Sequence, residues 1–366
     1  MRANWLFAIL FGSGTALRVI TWLAYRPALL YIDSYRYLRY MNPWRIDGID
    51  PIGYDVLIWP VLYGGKLIGS GLALTAAVQH LLGLGVALVC YLLARGLGAI
   101  RPVAALTTAP MLLDAYQLQI EQNLMPEVWS DALLIAAAWL LLHWRTTVGD
   151  GLDTVAGRRV RFGLHGWQAA AAGALIGVNV PVRLIGVLVV IPFGLYLILA
   201  GADWRNRAWR RRMIIRLTAG VAGFAVLFGG YVGAYRMISG HWGLSGADSS
   251  LLYSRAATVA DCPKLHLNRW VAQECPDIPR ARRPGVDRYA HGHLDRNVVV
   301  PPGSSRKSLR FQFGLRVLQA QPLDLVQAAA KDFAKGFAWT RTQSPHDVPL
   351  NRWQFQLHYR RWSGDP

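Results

Sequence analysis

The sequence has few charged residues. Only 16% of its 366 residues are Asp, Glu, Lys or Arg, whereas 53% are hydrophobic. Short basic stretches separate apolar runs of about 17–21 residues, which are long enough to cross a bilayer as helices. The composition therefore argues against an ordinary soluble domain and predicts an all-α polytopic membrane protein.

Acidic residues are especially scarce. The chain has 21 Asp and Glu against 39 Lys and Arg, which gives a formal net charge of +18. Such a surplus is also typical of nucleic-acid-binding proteins. Many of the arginines, however, lie in short segments between apolar runs, where the positive-inside rule places them. We therefore expect a lipid bilayer and no nucleic acid as a partner.

The sequence also lacks a cleavable signal peptide, a Cys-x-x-Cys motif and an internal repeat. The first apolar run, Trp5–Tyr25, is too long for a signal-peptide core and has no small-residue cleavage site, so it predicts a retained helix. No histidine spacing suits a metal, and we interpret "HGH" at His291–His293 as a solvated loop. We predict no metal site.

About seven transmembrane helices are predicted from the apolar runs. They cover Trp5–Tyr25, Leu74–Ala94, Pro102–Gln119, Val128–Trp144, Trp167–Val180, Leu184–Ala200 and Ile214–Ile238. The segment Asp55–Gly71 is also apolar, but Pro60, the pair Gly64 and Gly65, and Lys66 disfavour an eighth span. We interpret it as an amphipathic helix at the outer interface, with a span as the alternative.

Arginine-rich loops predict the orientation. They are centred on Arg95 and Arg101, on Arg145 with "GRRVR", and on Asp203–Arg216, and they alternate along the chain. If these loops are cytoplasmic, so is the N-terminus, and the tail is extracytoplasmic. We expect a multi-pass plasma-membrane protein. Its transmembrane domain covers residues 1–238, with a first outer loop at 26–73, and its extracytoplasmic region of loops and short helices covers residues 239–366.

The tail contains two of the three cysteines. Cys262 and Cys275 lie in "DCPKLHLNRWVAQECP", on the predicted outer side where disulfides persist. We predict a disulfide between them, with two free thiols as the alternative. Apolar spacing further along predicts two helices that are separated at Pro322.

Acids near the outer ends of the spans are the first candidates for chemistry. Asp33 in "YIDSYRYLRYMNPW" could act as a general base toward a hydroxyl, or it could cap the helix that follows; the two roles are compatible. Glu121 and Glu127 fall on the same predicted side of the membrane. The alternative for each glutamate is a solvated loop acid.

Cationic and aromatic residues supply further candidates. Arg183 suits a phosphate, because a guanidinium makes bidentate contacts, although it could also anchor the interface. Arg18 is an ionisable residue inside a predicted span, and such residues usually face a polar interior. His80 lies in the second span and could simply be packed. Arg36 could face lipid headgroups, and Tyr35 could stack on a sugar or anchor the loop.

Several stretches resemble the start of GT-C glycosyltransferases. They are the acid after the first span, "DPIGYDVLIWPVLYG" (Asp50–Gly64) and "AAVQHLLGLGVALVCYLLARGLGA" (Ala76–Ala99). More narrowly, the pattern resembles bacterial relatives of the protein O-mannosyltransferases that use polyprenyl-phosphate sugars. The later "VPVRLIGVLVVIPFGLYLIL" is similar to their arginine-containing segment before a middle span. The similarity covers roughly residues 1–200.

The resemblance implies a many-helix fold with a cavity at the outer membrane surface and an inverting transfer of a hexose or pentose. The donor would be a polyprenyl-phosphate sugar, and the acceptor a hydroxyl of a glycan, lipid or protein. By position, Asp33 matches the general base, Glu127 a second site acid, and Arg183 a residue facing the donor phosphate. The candidate substrate-binding residues are Arg183, Glu121, Arg36, Tyr35, Arg18 and His80.

Two departures from the family pattern matter. Many members have a paired acid motif in the first loop, whereas Ser34 follows Asp33 here, so a divalent cation stays an open alternative. Many members are also longer. The rival interpretations are a transporter, a non-catalytic membrane subunit and a degenerate relative. We find no symmetry between halves of the kind that a transporter predicts.

Overall fold

A computed structural model describes residues 4–41, 45–46, 48–142, 154–155, 158–159, 164–291 and 298–338. Trp44, His293 and most of the predicted basic loop that contains "GRRVR" lie outside the described residues. The described chain is helical apart from one pair of two-residue strands. It forms two compact units, the first ending at Leu244 and the second beginning at Ser245.

The first unit contains eleven of the described α-helices and the strand pair. In chain order they are α1 Trp5–Ala24, α2 Ile32–Tyr40, α3 Gly53–Leu67, α4 Gly71–Gly96, α5 Arg101–Leu106, α6 Ala109–Leu113, α7 Ala115–Gln122, α8 Glu127–Leu142, β1 Thr154–Val155, β2 Arg158–Arg159, α9 Gly166–Val182, α10 Val190–Leu199 and α11 Arg207–Ser239. A 3₁₀ helix, Leu184–Val189, precedes α10. The strands β1 and β2 are antiparallel.

Three of the described helices are long and apolar enough to cross a membrane. They are α1 with 20 residues, α4 with 26 and α11 with 33, and their mean hydropathies are 1.6, 1.9 and 1.7. At 1.5 Å per residue, even the shortest is about 30 Å long, which matches the hydrocarbon core of a bilayer. The apolar segment Leu184–Leu199 is shorter.

The segment predicted as the third span is not one helix. Residues 101–122 form α5, α6 and α7, with breaks at Thr107–Thr108 and at Asp114. Pro110 cannot donate a backbone hydrogen bond and its ring clashes with the preceding turn, so it favours a helix start, and here it lies in the first turn of α6. Asp114 is extended and its side chain accepts from Tyr116 N–H at 2.9 Å, which begins α7 as an N-cap.

Helix α9 packs along α11 through small residues. A Cβ at Gly223 would lie 1.9 Å from the carbonyl oxygen of Ala170, so only glycine permits this approach. Small residues at such contacts let helix backbones approach closely. Because α9 leads directly to Arg183, this packing fixes where that arginine lies.

Helix α3 corresponds to the segment predicted at the outer interface. Its buried face includes Tyr54, Ile58 and Leu62, which share a hydrophobic cluster with α2 and α4. The opposite side exposes Trp59 and Leu67. Large exposed apolar groups on one side are typical of a helix that contacts lipid.

The second unit has its own core. Its helices are α12 Asp248–Val259, α13 Val286–His291, α14 Arg306–Ala320 and α15 Pro322–Lys335, with 3₁₀ helices at Cys262–Lys264, Val271–Glu274 and Arg280–Arg282. Tyr253, Phe313 and Val317 lie at the centre of its hydrophobic cluster. The helix break predicted at Pro322 is confirmed, since α14 ends at Ala320 and α15 begins at Pro322.

Candidate functional site

Charged side chains gather at the start of α2. Tyr31 N–H donates to the hydroxyl of Ser34 at 3.0 Å and closes the helix start. Asp33 therefore lies within the first turn and is not the N-cap. Its Oδ1 lies 2.9 Å from Arg36 Nη2, and Arg36 Nε donates to Asp50 Oδ2 at 2.6 Å. One guanidinium thus joins two acids of the segment between α1 and α3.

This charged group is half-buried. The side chains of Asp33, Arg36 and Asp50 are 27%, 23% and 20% exposed. Burial alone lowers the pKa of Arg36, but the hydrogen bond and charge of Asp50 and the charge of Asp33 outweigh it and raise the pKa above its ordinary value. The guanidinium is consequently a fixed positive charge that a substrate can still approach.

Backbone hydrogen bonds connect the segment between α1 and α2 to the segment between α7 and α8. Leu29 N–H donates to Gln122 O at 3.0 Å, and Leu124 N–H donates to Leu29 O at 3.3 Å. The hydroxyl of Ser34 lies 2.9 Å from Leu124 O and 3.1 Å from Asn123 Oδ1. These bonds place the start of α2 beside the start of α8, where Glu127 lies.

Glu127 and Arg183 form an ion pair between α8 and the end of α9. Arg183 Nη1 contacts Glu127 Oε1, with the two side chains 38% and 21% exposed. The other oxygen, Glu127 Oε2, is buried and has no hydrogen-bond partner among the described residues. A guanidinium has five N–H donors, so Arg183 keeps donors that a phosphate could accept from.

The end of α9 also approaches the start of α3. A Cβ at Gly53 would lie 2.4 Å from the carbonyl carbon of Pro181, so only glycine allows α3 to begin there. Val182 packs in the same hydrophobic cluster as residues of α2 and α3. The residue before Arg183 and the helix after Asp50 therefore share one packed region.

Three nearby acids affect the pKa of Tyr37. Burial and the charges of Asp50, Asp33 and Glu127 raise its pKa, whereas the charge of Arg36 opposes them weakly. Its ring packs edge-on to that of Tyr54, with the centroids 5.0 Å apart. Asp33, Asp50 and Glu127 are therefore all near enough for their charges to act on the buried Tyr37.

Arg18, Glu121 and His80 form a separate, fully buried network. Arg18 Nη2 donates to Glu121 Oε1 at 2.6 Å, and His80 Nδ1 lies 2.9 Å from Glu121 Oε2. The exposed fractions of the Arg18 and Glu121 side chains are only 2% and 0%. Arg18 also donates to the carbonyls of Met111 and Leu112 at the end of α6.

This network joins α1, α4, α6 and α7 where the predicted third span is broken. Carbonyls left unpaired at the end of a short helix need donors, and Arg18 supplies them. Arg18, Glu121 and His80 thus contact one another and hold the helices together. The substrate-binding role predicted for them stays a prediction.

A cavity of about 360 Å³ lies between α4, α6, α7 and α8. Its walls are mostly apolar and include Val86, Leu134 and Ile135, while Asp131 and Gln117 contribute polar groups. The size lies within the range of small-molecule sites. Asp131 follows Glu127 by about one helical turn, so the cavity begins close to the ion pair with Arg183.

The remaining predicted site residues have other surroundings. Tyr35 packs against the hydrophobic cluster of α2 and α3. Cys262 and Cys275 are joined by a disulfide in the second unit. Among the described residues, no three His, Cys, Asp or Glu side chains gather in a way that could hold a metal. Because Arg36 contacts both Asp33 and Asp50, that pair already faces a positive charge and does not fit a divalent cation.

Two acids in this region were not predicted as site residues from the sequence. Asp50 pairs with Arg36, which precedes it by fourteen residues. Its position in "DPIGYD" was the only feature of the sequence that could have indicated a role. Asp55 is fully buried in α3, and neither carboxylate oxygen has a hydrogen-bond partner by geometry among the described residues. Burial, reinforced by the charge of Asp50, raises the pKa of Asp55 well above its ordinary value.

Asp55→Asn should flatten the dependence of stability on pH. In the unfolded chain an aspartate ionises at about pH 3.9, whereas folded Asp55 keeps its proton to much higher pH. The folded state then binds more protons, so this stabilisation is complete below about pH 4 and is lost as the pH rises toward the folded pKa. Asparagine removes this contribution.

The measurement is the apparent melting temperature of the purified chain at pH 5 and pH 8. We expect a smaller decrease for Asp55→Asn than for the wild type. Asp114→Asn is the matched control, because Asp114 is exposed and asparagine caps a helix equally well. An equal decrease in all three proteins would show that Asp55 does not titrate as its burial requires.

Comparison of the chain with protein-family models, with curated proteins and with solved structures found no match. The function therefore has to be argued from the geometry of the charged residues around Tyr37.

Proposed function

We propose that this protein is a membrane glycosyltransferase of the GT-C type, which moves a sugar from a polyprenyl-phosphate donor to an acceptor hydroxyl. The observation that carries the proposal is a pair of ion-paired acids, Asp33 with Arg36 and Glu127 with Arg183, on two segments that the backbone bonds of Leu29 join. A base and a phosphate-binding cation on one side of the bilayer are what this reaction needs.

The proposed reaction is a single displacement with inversion. Asp33 accepts the proton of the acceptor hydroxyl, whose oxygen attacks the anomeric carbon of the donor sugar. The bond from that carbon to the phosphate oxygen breaks, and polyprenyl phosphate leaves with the electron pair. Arg36 lies 2.9 Å from Asp33 and orients the carboxylate. No metal takes part in this scheme.

Arg183 stabilises the negative charge that develops on the leaving phosphate. Its contact with Glu127 orients the guanidinium, and its other N–H groups face the donor. Glu127 Oε2, which has no hydrogen-bond partner among the described residues, accepts from a hydroxyl of the sugar. The apolar cavity beside Asp131 accommodates part of the donor's isoprenoid chain.

The proposal includes seven spans in the plasma membrane, with the N-terminus in the cytoplasm. The helices α1, α4 and α11 support it by length and hydropathy. Three further spans are proposed for the shorter segments, which are α8, α9 and the 3₁₀ helix with α10. The seventh is an interrupted span that consists of α5, α6 and α7. The second unit then lies outside the cell, where a disulfide persists.

The orientation predicts how the two tail cysteines react. In intact cells, a membrane-impermeant thiol label should reach Cys262 and Cys275 only after reduction, because the disulfide blocks both thiols. Mass spectrometry of the labelled peptides reads out the result. Labelling that requires lysis as well as reduction would place the second unit in the cytoplasm.

Reconstitution in vesicles tests the transferase against the transporter. A radiolabelled polyprenyl-phosphate sugar is supplied on the side of the second unit together with candidate acceptors. A transferase forms glycosylated acceptor there and releases polyprenyl phosphate. A transporter moves the intact donor lipid to the opposite leaflet without product, and that result would contradict the proposal.

A further inference from the structure

Helix α15 exposes an apolar stripe. Leu323, Val326, Ala330 and Phe333 recur at spacings of three and four residues, and Phe337 continues the stripe just beyond the helix. The exposed fractions of Leu323, Val326, Phe333 and Phe337 are 74%, 63%, 72% and 74%. Four large apolar side chains on one face are thus directed away from the core of the second unit.

The opposite face of α15 holds the helix to its own unit. Leu325 is buried there. Asp324 pairs with Arg280 at 2.8 Å, and Asp332 pairs with Arg255 at 2.7 Å. Both acids of α15 are therefore neutralised within the unit.

The second unit carries a surplus of basic residues. From Ser245 to Ala338 the sequence has fourteen Lys and Arg against eight Asp and Glu. Lys331 and Lys335 are exposed on the side of α15 that faces away from the stripe, and Lys335 lies 3.7 Å from Asp332. An apolar stripe on a basic unit is complementary to an anionic lipid surface.

A short connection from α11 keeps the second unit near a bilayer that α11 would cross. The second unit begins only five residues, 240–244, after the end of α11, which is one of the three helices that can cross a membrane. Five extended residues span at most about 18 Å. The unit therefore cannot leave the neighbourhood of the membrane that α11 crosses.

We propose that α15 lies in the headgroup region of an anionic bilayer, with Leu323, Val326, Phe333 and Phe337 inserted among the acyl chains and basic side chains of the second unit at the phosphates. The combination of a strong apolar face with low average hydrophobicity is characteristic of interfacial helices and not of spanning ones. The proposal requires that the chain is anchored in a membrane, but it does not depend on sugar transfer.

Site-directed fluorescence in the full-length protein tests this placement. In a Cys90→Ala background, single cysteines at Val326 or Phe333 report on the stripe, and Gln327→Cys is the matched control on the exposed flank. Each variant is labelled with an environment-sensitive dye without reducing the disulfide. It is then reconstituted in vesicles of phosphatidylcholine and phosphatidylglycerol. One sample contains nitroxide-labelled lipid, which quenches from within the bilayer, and a second contains iodide, which quenches from the water.

We expect the lipid nitroxide to quench the labels at Val326 and Phe333 about threefold more strongly than the label at Gln327, with the order reversed for iodide. The contrast should weaken in phosphatidylcholine alone, since the basic side chains of the second unit then lose their anionic partner. Equal lipid quenching at all three positions would overturn the proposal. Protection of the stripe from both quenchers would also overturn it, because protein and not lipid would then cover α15.

Discussion

Asp33→Asn is expected to reduce the rate of sugar transfer by about 100-fold or more, because a positioned general base contributes about 10²–10⁴-fold to such reactions. Asparagine has nearly the same shape but cannot accept the proton of the acceptor hydroxyl. Arg36 keeps its hydrogen bonds to Asp50, so the first outer loop stays anchored in the variant. The loss should therefore fall on kcat, with little change in KM for the donor.

Asp50→Asn is the matched control for this experiment. Asp50 contacts the same guanidinium and is similarly exposed, but it is not the proposed base. We expect it to retain most of the activity that Asp33→Asn loses. Transfer is measured with purified protein, a polyprenyl-phosphate sugar and an acceptor. Undiminished transfer in Asp33→Asn, or an equal loss in both variants, would remove Asp33 from the role of base.

Glu121→Gln is expected to produce the largest loss of stability, about 3–5 kcal/mol, because it leaves the Arg18 guanidinium buried without a counter-charge. The carbonyls of Met111 and Leu112 continue to accept from Arg18, but they carry no full negative charge. For a unit of this size, the loss corresponds to a decrease of roughly 10 °C in apparent melting temperature.

Glu127→Gln provides the matched comparison, since it also replaces a glutamate that is paired with an arginine. The pair with Arg183 is 21% and 38% exposed, so water screens it and the loss should be about 1 kcal/mol or less. Adding Arg18→Met to Glu121→Gln should recover part of the stability, because it removes the uncompensated charge. Equal melting temperatures for Glu121→Gln and Glu127→Gln would contradict the structural role of the buried network.

The long apolar helices could be predicted from the sequence wherever apolar runs are long and unbroken. The helices α1, α4 and α11 follow from hydropathy and length alone, since backbone groups in hydrocarbon must pair within their own segment. The break in the third predicted span was not readable in the same way. Pro110 and Asp114 lie within an apolar run, and whether they interrupt a helix depends on tertiary partners such as Arg18.

Only part of the candidate site could be predicted from the sequence. Asp33, Glu127 and Arg183 stood out because each is a charged residue at the end of an apolar run. Their surroundings depend on contacts across distant segments, such as Leu29 with Gln122 and Gly53 with Pro181, which no local pattern encodes. For the same reason, the pairing of Asp50 with Arg36 and the burial of Asp55 emerged only from the folded chain.

The most direct test of the central claim is an experimental structure of the protein with a bound, non-reactive polyprenyl-phosphate sugar analogue. The account predicts the phosphate in hydrogen-bond contact with Arg183, the isoprenoid chain directed toward the cavity beside Asp131, and the face of the anomeric carbon opposite the phosphate turned toward Asp33. A donor bound elsewhere, with neither Asp33 nor Arg183 near its sugar or its phosphate, would contradict the account.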